Sequence, residues 1–260
     1  MKIGVSTACL YPMEIEKAFQ TLNELGFRTF ECFINTYSEL TPSFLRTLRD
    51  MMTAYGSHVR SVHPFSSGFE TFMLFSDYKR RFWDTLEQYK AFFEAARFLG
   101  ADLFVIHGDR RSVITEEEYF SRFSNLVACG RSYGVTVAQE NVNLYRSADP
   151  GFIRRMRMAL GKDARFVLDL KQAVRAGWSP FDLCEAMGED LIHVHVNDHL
   201  PGQDCLLPGK GAMDYNRLGR VLRQNGFSGD YILELYRENF GDPAELAQSA
   251  RWLESVLSAV

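Results

Sequence analysis

Short runs rich in β-branched and aromatic residues alternate along this chain with longer stretches in which apolar positions recur at helical spacing. Eight runs have strand character, at 3–6, 29–33, 58–63, 103–107, 136–140, 165–169, 191–196 and 231–235. Between them, helical periodicity covers 14–25, 42–55, 78–99, 116–133, 150–160, 215–224 and 243–260. Gly26, Gly56, Gly100, Gly134, Gly161 and Gly226 follow six of these stretches, where left-handed helix ends fall. Strands alternating with helices imply parallel pairing through right-handed crossovers. Eight such units with no long linker predict an α/β chain that closes as one (β/α)8 TIM barrel domain over residues 1–260. An open doubly wound sheet would carry a glycine fingerprint after its first strand. Here that position reads Ser6-Thr7-Ala8-Cys9-Leu10.

The polar residues that interrupt these strands fall at one end. The third to eighth strands finish at or near His63, His107, Glu140, Asp169, His195 and Glu234. Side chains alternate faces along a strand. On the seventh strand His193, His195 and Asn197 then face into the barrel, and Ile192, Val194 and Val196 face the outer helices. Val167 and Asp169 face inward on the sixth, Ile232 and Glu234 on the eighth. Barrel active sites gather at this end. Taken singly, an inward histidine is more often a satisfied structural group, and a buried glutamate can pair with a neighbouring arginine. Two glutamates and an aspartate at one mouth would repel each other, and a divalent cation removes that conflict. Oxygen ligands with one imidazole suit Mn²⁺, Mg²⁺, Co²⁺ or Zn²⁺.

Composition narrows the partners. The net charge of −4 argues against nucleic acid, whose binders usually present a basic face. The five cysteines form no Cys-x-x-Cys pair and fit a reduced intracellular protein. No window approaches the roughly 18 apolar residues of a membrane span. The first residues are too interrupted for a secretory signal. A soluble, cytoplasmic protein is expected. Phe82, Trp83, Phe92 and Phe93 either meet a second copy in a homo-oligomer or pack on the barrel.

At these residues the chain resembles the xylose isomerase-like barrel superfamily, which includes sugar-phosphate isomerases and epimerases and the zinc-dependent apurinic endonucleases. The resemblance spans nearly the whole chain. It is carried by His63, His107, Gln139-Glu140-Asn141, Leu168-Asp169, His195-Val196-Asn197-Asp198, Pro208-Gly209-Lys210-Gly211 and Leu233-Glu234. It implies one metal held by Glu140, Asp169, His195 and Glu234, as in the family's epimerases. In the endonucleases two further histidines and the shared glutamate hold another zinc. His63 and His107 match those positions, as ligands of a second metal or as substrate contacts. Their third zinc needs a histidine where Gln172 stands, and an Asp-x-His where the chain reads Asp204-Cys205-Leu206.

The first function this implies is a divalent-metal-dependent isomerase or epimerase of a sugar or sugar phosphate. Glu140 and Glu234 would pass a proton off and back onto carbon through an enediolate, with pKa values tuned towards neutral. Glu31, Gln172, Asn141 and Arg237 are candidate substrate contacts, and Trp178, Phe65 and Tyr11 candidate apolar walls. Arg110, Arg111, Arg146 and Arg237 are candidate phosphate ligands. The loop at residues 208–211 is either a phosphate loop or a glycine turn before an Asp214 helix cap. The second function is a zinc-dependent hydrolase or phosphodiesterase, favoured by the intact His63, His107 and Glu140 set. The third is a non-catalytic metal- or ligand-binding barrel.

Overall fold

A computed structural model describes residues 2–110 and 114–259. Eight parallel strands close a barrel: β1 (Ile3–Ser6), β2 (Thr29–Ile34), β3 (His58–Pro64), β4 (Leu103–Ile106), β5 (Thr136–Glu140), β6 (Phe166–Asp169), β7 (Leu191–Val196) and, last in the chain, β10 (Asp230–Leu233). Their order around the barrel is β1-β10-β7-β6-β5-β4-β3-β2, with β1 closing on β2. The helices are α1 (Ile15–Glu24), α2 (Pro42–Tyr55), α3 (Lys79–Leu99), α4 (Glu116–Ser132), α5 (Pro150–Leu160), α6 (Leu170–Arg175), α7 (Pro180–Met187), α8 (Tyr215–Gln224) and α9 (Ala244–Ser258). Two short elements, β8 (Asp198–Leu200) and β9 (Gln203–Leu206), make an antiparallel hairpin after β7. No described helix is long and apolar enough to cross a membrane.

The eight strands predicted from the pattern are the eight barrel strands. The short helices α6 and α7 and the β8–β9 hairpin were not predicted, because segments of three to eight residues are too short to show a period. The outer core lies between the strands and the helix ring and takes in Phe82, Phe92 and Phe93, each nearly or fully buried. Three of the four aromatics on the long helix therefore pack on the barrel, and Trp83 alone of the four is exposed.

Inside the barrel the apolar filling is small: Leu103, Val105, Ala138 and Val167, with Ile192 against them. Ile192 was expected to face the helices. The pairing of β6 with β7 shifts register between Phe166 and Val167, so strict alternation fails at Ile192. His193 and His195 keep their inward direction, at the levels of Val167 and Asp169. Above the apolar layer the interior is polar, which sets up the site.

Candidate metal centre

Each polar strand end is aimed by its own surroundings. Asp169 is the N-cap of α6, and its Oδ1 accepts from the Gln172 backbone N–H at 3.1 Å and from Asn197 Nδ2 at 3.3 Å. Its Oδ2 is left to face the interior. Asn141, expected at the substrate, instead ties β5 to β6: its Nδ2 donates to the Asp169 carbonyl and its Oδ1 accepts from the Asp169 N–H, at 2.9 and 2.7 Å. Gln139 points outward and donates to the carbonyls of Ile106, His107 and Glu140, which fixes the end of β4. Gly108, at a φ of 89°, turns the chain after His107. A Cβ there would collide with the Tyr119 hydroxyl and the Gln139 side chain.

The result is a convergence. One ligand atom each from Glu140, Asp169, His195 and Glu234 lies within 4.8 Å of all the others, and all four residues are buried. His195 Nδ1 is 3.4 Å from Glu140 Oε1, 3.3 Å from Glu234 Oε2 and 3.9 Å from Asp169 Oδ2. Glu140 Oε2 is buried without a hydrogen-bond partner, although His107 Nε2 lies 3.0 Å away. Asp169 Oδ2 likewise has no hydrogen bond. Lys171 Nζ is 2.8 Å from it, an ion-pair distance without hydrogen-bond geometry. Three carboxylates and one imidazole with unsatisfied buried oxygens form a donor set that fits a divalent cation.

His63, His107 and Glu140 form a second such group, with the two histidine Nε2 atoms 2.9 Å apart. Glu31 joins the cluster from below. It is fully buried and meets His195 Nε2 at 3.0 Å, Ser61 Oγ at 2.8 Å and His193 Nε2 at 3.4 Å. Expected to touch a sugar hydroxyl, it lies behind His195 and is absent from the cavity wall.

That cavity has a volume of about 310 Å³ and opens over the cluster. His63, His107, Glu140, Lys171, Gln172 and Glu234 supply its polar side, and Tyr11, Phe33, Leu235 and Tyr236 its apolar side. Gln172 thus lines the cavity as expected, while its Oε1 accepts from the Asn143 N–H. Of the aromatics proposed as walls, Tyr11 lines it. Phe65 belongs to a neighbouring cavity, and Trp178 lines neither.

The expected phosphate ligands are mostly engaged elsewhere. Arg237 donates to the carbonyls of Phe240 and Gly241, and Arg146 pairs with Asp109. Arg110 is exposed, and Arg111 lies outside the described residues. The loop at 208–211 is a turn organised by Asp198, which accepts from the N–H groups of His199, Gly209 and Met213, and Asp214 caps α8.

Charge decides the protonation of this cluster. Burial pushes the Asp169 carboxyl up, Glu140 and Glu234 add to it, and against the pull of Lys171 it settles at about 7. Burial acts the same way on Glu140 and Glu234, but the cations around them win. His107 and His195 hold Glu140 low, and Lys171 and His195 hold Glu234 well below the carboxylate range. The two glutamates are therefore ionised rather than tuned towards neutral. Burial lowers both His63 and His195, yet their carboxylate neighbours overcome it. Glu234 and Glu31 take His63 to about 10, and Glu31 and Glu234 lift His195 well above its ordinary value.

Lys171 is the member of the cluster that the sequence pattern did not bring forward. The signal was there: a lysine two residues beyond the Asp169 strand end, on a predicted barrel mouth.

A family model described as a xylose isomerase-like TIM barrel matches residues 19–256. An uncharacterized protein of Mycobacterium tuberculosis is 27% identical over 285 residues, covering 99% of this chain and 94% of the relative. The L-ribulose-5-phosphate 3-epimerase UlaE of Escherichia coli is 36% identical over 67 residues, covering 25% of this chain and 24% of the epimerase. Among solved structures, a D-tagatose 3-epimerase-like protein superimposes with a TM-score of 0.83 at 21% identity, covering 100% of this chain and 98% of that one.

Proposed function

Because this chain belongs to the xylose isomerase-like TIM barrel family, we propose that it is a divalent-metal-dependent isomerase or epimerase of a sugar or sugar phosphate. The observation that carries the reading is the meeting of Glu140, Asp169, His195 and Glu234 at one buried point, with Glu140 and Glu234 also facing the cavity. Relatives and structural neighbours named as sugar 3-epimerases support the same class.

The four residues would hold the metal, which when bound would polarise a substrate carbonyl and adjacent hydroxyl and so acidify the proton on the neighbouring carbon. Glu140 and Glu234 come from β5 and from the end of β10, and both are ionised in this setting, ready to accept a proton. One, ionised, would take the carbon-bound proton, while the other would first have to take up a proton from solvent and would then deliver it to the opposite face, which inverts that carbon and leaves the two glutamates with exchanged protonation states. Gln172 offers a non-titrating hydrogen-bonding group beside them, and Tyr11, Phe33 and Tyr236 cover the apolar face of a sugar ring.

The intact His63, His107 and Glu140 group favours a second reading, a zinc-dependent hydrolase or phosphodiesterase. One experiment separates the two. Metal content is measured in wild type and Glu234→Ala, and both are screened for deuterium exchange into a ketose panel, with product analysis, and for cleavage of an abasic oligonucleotide. Exchange that falls roughly 10²- to 10⁴-fold in the variant supports the isomerase. Cleavage without exchange or isomerised product removes it.

A further inference from the structure

Lys171 is a buried cation inside a site built for a cation. It sits on α6, two residues after the Asp169 cap, and is 3% exposed. Its Nζ lies 2.8 Å from Asp169 Oδ2 and 2.9 Å from Glu234 Oε2. Both partners belong to the four-residue set that would hold the metal, and the two oxygens are those that face His195 Nδ1. On its other side the ammonium is 5.2 Å from the centre of the Tyr236 ring, and the side chain lines the cavity. A second positive charge bound by the same oxygens would be placed against this ammonium with little water between them, where repulsion is strong. The ammonium and the metal therefore cannot both hold Asp169 and Glu234 in this arrangement.

We propose that Lys171 is a resident counter-cation that competes with the divalent metal for Asp169 and Glu234. It stabilises the metal-free site by adding a second positive group, beside His195, to the oxygens of Asp169 and Glu234, and it weakens the site's affinity for metal. Metal binding displaces the ammonium, which stays tethered beside Tyr236 at the cavity wall. This builds on the metal-dependent reading above but concerns the order of occupancy of the site and not the reaction.

The test is Mn²⁺ binding to metal-stripped protein by titration calorimetry, with thermal unfolding measured alongside. Lys171→Met is expected to bind Mn²⁺ at least tenfold tighter than wild type. Metal-free, it should unfold at a lower temperature than metal-free wild type, and saturating Mn²⁺ should remove that deficit. Lys171→Arg, which keeps the charge, should stay near the wild-type affinity. If Lys171→Met does not fold, Lys171→Gln is measured in its place, and either variant is refolded with Mn²⁺. Rescue by the metal supports the competition, and no rescue overturns it. Equal or weaker binding in a folded Lys171→Met overturns the proposal while leaving the metal-dependent reading intact. Binding by Lys171→Met with none by wild type upholds the competition and removes the metal-dependent reading. Binding by neither overturns both.

Discussion

Glu31 Oε2 lies 3.0 Å from Nε2 of His195, while Nδ1 of the same ring faces Glu140, Asp169 and Glu234. The ring is thus clamped from behind by a carboxylate that is wholly buried. With Nε2 carrying a proton towards Glu31, the lone pair on Nδ1 is free for a metal. Ser61 and His193 hold Glu31 in turn. Partners of this kind set the tautomer and orientation of a ligating histidine.

Removing the clamp should therefore weaken metal binding while leaving Glu140, Asp169, His195 and Glu234 in place. Glu31→Ala is expected to lower Mn²⁺ affinity by about 10- to 100-fold. Glu31→Gln keeps an acceptor facing His195 and should lose less than tenfold. Calorimetric titration of the three proteins checks this, and unchanged affinity in Glu31→Ala would show that Glu31 does not orient His195.

Metal uptake should release protons. In the metal-free protein Glu31 and Glu234 raise the His195 imidazole well above its ordinary pKa, despite burial, which favours a proton on the ring that a metal would have to displace. Asp169, at about 7, is partly protonated at pH 7.5. A ligand must give up its proton to the metal's competition. Titration with Mn²⁺ at pH 7.5 in buffers of different ionisation enthalpy is expected to show at least one proton released per metal. Apparent affinity should rise with pH between about 6 and 8. A pH-independent affinity with no release would mean that His195 does not ligate.

Much of this site could be read from sequence because strand alternation is local. Glu140, Asp169, His195 and Glu234 each end a short β-branched run, and period two alone puts them on one face. What escaped depended on longer-range geometry. Lys171 reaches the cluster only because the Asp169 cap starts a six-residue helix there. Glu31 stood out in the sequence as a candidate substrate contact, but its place behind His195 depends on the register of β2 on β3, where a shift falls between Phe30 and Glu31. Arg237 looked free because its acceptors are main-chain carbonyls, which carry no signature in sequence. The pKa expectation for Glu140 and Glu234 took account of burial but not of the lysine and histidines packed around them.

The last prediction concerns a carboxyl outside the cluster. Glu70, 1% exposed, accepts the Gly108 N–H and lies 3.4 Å from the Tyr89 hydroxyl, so it supports the turn that carries His107. Burial pushes its pKa up from 4.5 to about 8, against the pull of the Gly108 N–H, the His63 charge and Tyr89. Between those two values the folded chain holds a proton that the unfolded chain has lost. Stability from this group is therefore full below pH 4.5, declines as pH rises, and is gone above about 8. At about 1.4 kcal/mol per pKa unit the loss is several kcal/mol in order of magnitude. Glu70→Gln carries no titrating proton and keeps an acceptor for Gly108. Its stability, from denaturant unfolding at pH 5 and pH 8, should vary less than that of wild type, so that the variant is relatively more stable at pH 8. Equal pH slopes in the two proteins would show that Glu70 is ionised in the folded state, and that the turn after β4 is held by a charged carboxylate instead.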